Sequence, residues 1–174
     1  METDQVLREQ LLALLRGGNA HDGIDTVTDD FPVEHINRKP LNVQYSFWQL
    51  LEHLRITQWD ILEFVRNPQH VSPKWPDGYW PSQDEEVDQK RWDQTLLAFK
   101  ADLEMMQAIV SDPQTDLLAE IPHAPGYPIL REVLLVADHN AYHIGEFGIL
   151  RQVAGNWPRQ KPLAADLKQF PPFL

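Results

Sequence analysis

The apolar spacing of Trp92, Leu96, Phe99, Leu103, Met106 and Val110 most limits how this chain can fold. The steps between them are 4, 3, 4, 3 and 4. Residues at that period share one face of an α-helix, and such a seam must be covered by other helices. Ser82 followed by Glu85 predicts a capping box ahead of it, and Asp112-Pro113 ends it.

Three other segments supply the cover. Thr3 and Asp4 open a short helix carrying Leu7, Leu11, Leu14 and Leu15, which Gly17-Gly18 stops. Ser46 with Gln49 predicts a capping box for a helix over 44–66. Its stripe holds Phe47, Leu50, Leu51, Leu54, Ile61, Leu62 and Val65, with His53 beside it. Pro128 suits the first position of a last helix, which runs to about Ala154 and stops at Gly155. Here Leu130, Leu134, Ala137, Ala141, Ile144 and Gly148 repeat the 4-3 step, and Val133, Val136, Phe147 and Leu150 form a second stripe.

The connections are long. Residues 19–43 carry His21 and His35, with room for a helical turn near Ile24–Asp29. Residues 67–83 combine four prolines with Trp75, Tyr79 and Trp80, which suggests a stiff loop folded on the body. These aromatics either wall a pocket or simply cover the end of the helices. A third connection spans 113–127, and Phe170, Phe173 and Leu174 of the tail over 158–174 could pack back. No strand pattern of useful length is present. The expectation is a single all-α domain over 1–174, built as a four-helix bundle.

Composition removes several functions. Net charge is −11, from 26 acidic and 15 basic residues, which disfavours nucleic acid and polybasic membrane contacts. There is no cysteine, so disulfides, iron–sulfur clusters and a thiol nucleophile are excluded, and a metal would need His, Asp or Glu. No signal pattern and no membrane-length apolar run is visible. A soluble, cytoplasmic protein is expected.

The chemistry gathers in Asp138-His139-Asn140-Ala141-Tyr142-His143-Ile144-Gly145-Glu146. Histidines four apart on a helix share a face, and imidazole is a common ligand for transition metals. A solvated pair is the bland alternative. His143 falls on the second apolar stripe, so at least one imidazole should face inward. Asn140 stands where a zincin has its glutamate, which argues against that peptidase chemistry. Glu146, one turn on, is either a support for His143 or a surface acid. Asn140 is a second candidate partner for a ligand. His21 could reach the site, whereas His35, His70 and His123 read as surface residues. Gly145 and Gly148 suggest close approach of a neighbour, within the bundle or across a dimer interface.

The segments DHNAYHIGEF and FWQLLEHLRITQWDILEF, in this order of elements, resemble the DinB-like superfamily. The resemblance implies an up-down-down-up four-helix bundle binding a divalent metal, nickel or zinc, through three histidines. Carried onto this chain, the ligands are His53, His139 and His143. If the helices bearing them are antiparallel neighbours, the three side chains can converge. The family includes thiol-dependent S-transferases and isomerases, and proteins described as metal-dependent hydrolases, mostly as dimers. This implies a small-molecule substrate, a low-molecular-weight thiol as co-substrate, and a homodimer.

Three readings remain open on the residues. One is a metal-dependent transferase or hydrolase, with no catalytic base assigned. Another is a non-catalytic protein in which the metal ties two helices. The last is a metal-free bundle with ordinary histidine hydrogen bonds.

Overall fold

The computed structural model describes residues 3–17 and 20–157, and the tail expected to pack back lies outside them. The protein is mostly helical. In order come α1 (Thr3–Arg16), the short α2 (Ile24–Thr28), α3 (Phe47–Arg66), α4 (Gln89–Ser111) and α5 (Ile129–Val153). Strands β1 (Glu120–Ile121) and β2 (Ala124–Pro128) pair antiparallel just before α5. This hairpin is a departure from the strand-free expectation. With so few paired residues, it is too short to show alternation in sequence. The helical turn near Ile24 is present as α2.

α3 packs against both α4 and α5, and α1 packs against the same two helices. Two apolar clusters fill the interior. One is built around Phe47, Trp48, Leu50, Trp92, Phe99 and Phe147, and the other around Leu11, Leu62, Met106, Val110, Val133 and Val136. Between them in sequence on α3 and α5 lie Gln58 and Asn140, both buried. Asn140 Nδ2 donates to Gln58 Oε1 at 2.8 Å, and Gln58 Nε2 donates to the Phe99 carbonyl at 2.6 Å. One polar chain thus joins α5, α3 and α4 where the apolar stripes break. Asn140 serves this bridge and makes no hydrogen bond of good geometry to a neighbouring histidine.

Helix ends follow local chemistry. At α3, the Ser46 side chain accepts from the Gln49 amide while the Gln49 side chain accepts from the Ser46 amide. The second expected capping box fails. α4 begins at Gln89 with Asp88 as its cap, and Ser82–Glu85 forms only a turn. Asn37 explains the delay: its side chain donates to the Val87 carbonyl at 2.9 Å and accepts from the Val87 amide at 3.0 Å. Those bonds take the Val87 backbone out of any helical ladder.

On α5, burial is heaviest along Val133, Val136, Phe147 and Leu150, whereas Leu134 of the other stripe is exposed. Gly155, at φ +68°, ends the helix as expected. A Cβ on Gly148 would meet the Trp157 ring at 3.4 Å, an ordinary packing contact, and Gly145 faces open space, so neither glycine is required by close approach within the described residues.

Ser46→Ala removes a working cap and should cost about 1 kcal/mol in denaturant unfolding. Ser82→Ala should cost less than ~0.5 kcal/mol, because its hydroxyl caps nothing. Equal losses would contradict the assignment of the α4 start.

Candidate metal centre

His53 lies in the second turn of α3, and His139 and His143 lie one turn apart in mid-α5. The fold brings all three together. His53 Nε2 is 3.2 Å from His139 Nε2 and 3.3 Å from His143 Nε2. Neighbouring nitrogens on a tetrahedral zinc, each at roughly 2.0–2.1 Å, would lie about 3.3 Å apart. The cluster therefore has the dimensions of a metal site, and the three residues could hold an ion.

The outer nitrogens decide what the inner ones do. His53 Nδ1 lies 2.9 Å from the Tyr79 carbonyl, which only accepts, so Nδ1 carries the proton. His143 Nδ1 lies 2.7 Å from Glu146 Oε2, and Tyr45 donates its hydroxyl proton to the other oxygen of that carboxylate. With both protons on Nδ1, the two facing Nε2 atoms each present a lone pair. Their 3.3 Å contact is then no hydrogen bond, and a cation between them would relieve it. Glu146 is thus a support for His143, which settles the earlier alternative.

Burial reinforces neutrality. His139 is pushed down to about 3, by desolvation first and then by His143 and His53, against a smaller pull from Asn140. His143 is pushed down to about 4 by desolvation and then by His53. His53 is also lowered by burial, with the Tyr79 hydrogen bond opposing. Neutral imidazole is the form that binds metal. His139 Nδ1 is buried with no hydrogen bond of good geometry.

The aromatic loop forms one wall. Trp80 stacks on His53 with ring centres 3.9 Å apart and planes 3° from parallel. Tyr79 spans two turns of α3: its carbonyl holds His53, and its hydroxyl donates to Asp60 Oδ2 at 2.6 Å. His70 Nε2 meets the other Asp60 oxygen at 2.6 Å. Burial and then the Asp60 bond push the Tyr79 phenol up to about 12. His70 is therefore largely enclosed, not a surface residue, and its pairing with Asp60 has no signature in the sequence. His35 is also half-buried, bonded to Asn156 at 2.6 Å, while His123 is exposed as expected. His21 is exposed and bonds its own loop at Asp22, apart from the cluster.

Two outcomes test this geometry. Tyr79→Phe should cost about 1 kcal/mol of stability and speed amide exchange in the 76–80 loop. Unchanged exchange would show that the hydroxyl does not hold the loop. For pH, His139 and His143 have folded pKa values below the ordinary 6.5. The unfolded chain therefore takes up protons first as pH drops. Metal-free protein should be most stable above about pH 6.5 and lose stability as pH falls through about 4 and 3. A melting temperature that rose on acidification through that window would contradict the buried, neutral state.

No curated protein and no solved structure matches the chain significantly. A family model described as the DinB superfamily matches residues 19–147, which span all three histidines, the Tyr79 loop and Glu146. With well over half its length matched, this chain belongs to the DinB superfamily.

Proposed function

We propose that the protein is a metal-dependent enzyme acting on a small molecule, with His53, His139 and His143 as the ligands of a divalent ion. The observation that carries this reading is the convergence of three buried imidazoles, two of which, His53 and His143, have acceptors on their outer nitrogens that leave the inner ones bare. Nickel or zinc suits an all-imidazole donor set. Among the described residues no carboxylate joins the three histidines in this group, so coordination positions are left for a substrate. A bound ion would supply Lewis-acid chemistry, making an oxygen or sulfur donor more acidic near neutral pH.

The chain's own residues have separate tasks. Tyr79 and Glu146 hold the ligand rings in register, and Trp80 shields His53 from water. With no cysteine in the chain, thiol transfer would need the thiol as co-substrate. Thiol S-transfer and hydrolysis are the two reactions in view. The expected setting is cytoplasmic, in an up-down-down-up bundle. Among the described residues no helix is long and apolar enough to cross a membrane.

The alternative is a structural metal, favoured by one feature: the cluster ties α3 to α5. Purified protein with its native metal should turn over in a thiol-transfer or ester/amide hydrolysis screen, and chelation or His143→Ala should abolish turnover. Turnover that survives metal loss would overturn the enzyme reading. If chelation only lowered the melting temperature and no substrate in the screen reacted, the structural reading would stand.

A homodimer fits the outer face of α5. Leu134, Tyr142, Ile149 and Val153 are exposed there, on the same side as Gly145. Ile149→Glu should shift the protein to monomer in sedimentation, whereas an unchanged profile would move the interface elsewhere.

A further inference from the structure

Two cavities lie end to end along the seam between α3 and α5. The first, about 300 Å³, touches the histidine cluster at His139 and is walled by Ile61, Leu135, Tyr79 and the exposed Trp75. The second, about 290 Å³, shares Asp60, Ile61 and Leu135 with the first and continues to Arg131. Together they reach the size of small-molecule sites, roughly 300–1,000 Å³. His139, Leu135 and Arg131 are four residues apart on α5, so the seam follows two helical turns, about 12 Å. The α3 side runs from Thr57 to Phe64 in the opposite sense, as antiparallel helices require.

The wall nearest the cluster is apolar. The Asp60 carboxylate, which also borders it, is engaged by His70 and Tyr79. The Thr57 hydroxyl, on the same wall, is buried without a hydrogen-bond partner. The other charged residues lining the two cavities, Arg131 and Glu132, are paired with each other at the far end. A sugar-like or multiply charged body would lose its water here and find too few partners.

We infer that the seam is the slot for the substrate's body, an uncharged aryl-sized group carried on a head that reaches the histidine cluster. The slot rests on the open-metal reading above and narrows it to a substrate class. An aromatic body would lie between Leu135 and Ile61, under the Trp75–Tyr79 pair, whose rings meet edge to face at 5.4 Å. A longer ligand would find its polar end beside Arg131.

The test is calorimetric titration of zinc-loaded protein with acetohydroxamate and benzohydroxamate, which share a metal-binding head and differ in the apolar body. Benzohydroxamate should bind about tenfold tighter or more, beyond any difference the two show for free zinc ion. Leu135→Glu, at a position already 38% exposed, should remove that gain and leave acetohydroxamate binding intact. Trp75→Ala, at 71% exposure, should reduce the gain without unfolding the protein. Equal affinities in the native protein, or a gain that survives both substitutions, would overturn the slot while leaving the open metal standing. Failure of acetohydroxamate itself to bind would overturn the open metal and the slot with it.

Discussion

The centre depends on where two protons sit. A backbone carbonyl at His53 and a carboxylate at His143 each draw the proton to Nδ1. The inner nitrogens are then left bare and aimed at one another at van der Waals range. Two such lone pairs repel, and the arrangement is stable only because packing over-determines it or a cation sits between. The stack of Trp80 on His53 and the bond from Tyr45 to Glu146 are the packing side of that balance. The donor set and spacing are the cation side.

The fold makes room for this by breaking its own apolar pattern. α3 and α5 each carry apolar residues toward both clusters, with polar residues between. At that break the Asn140–Gln58–Phe99 chain satisfies most of what burial demands, leaving Asn140 Oδ1 without a partner. The aromatic loop closes the opening beside it, fastened to α3 by Tyr79 at His53 and again at Asp60. A local failure of that loop would therefore be felt at a histidine two turns away.

Much of this was legible in the sequence, for physical reasons. Helix periodicity, the Ser46–Gln49 cap and the Gly155 stop are local chemistry, readable from neighbours in the chain. The His139–His143 pair and Glu146 follow from helical spacing. His53 came from the family resemblance, and the structure does bring it to the pair. What escaped was non-local or carried by the backbone. The Tyr79 carbonyl has no sequence signature, and His70 meets Asp60 only after the loop folds back. Ser82 and Glu85 misled because Asn37, fifty residues from Val87, bonds the Val87 backbone and delays the start of α4.

The seam between α3 and α5 opens beside this centre: the helices that supply the histidines also line both cavities. The most direct measurement of the central claim needs no substrate. Imidazole nitrogen shifts in ¹⁵N NMR of the metal-free protein report which nitrogen of each ring is protonated. The expected result is the Nδ1–H tautomer for both His53 and His143 at neutral pH, with the bare Nε2 signals moving together on addition of one equivalent of zinc. Finding the proton on Nε2 of either ring, or Nε2 signals indifferent to zinc, would contradict it.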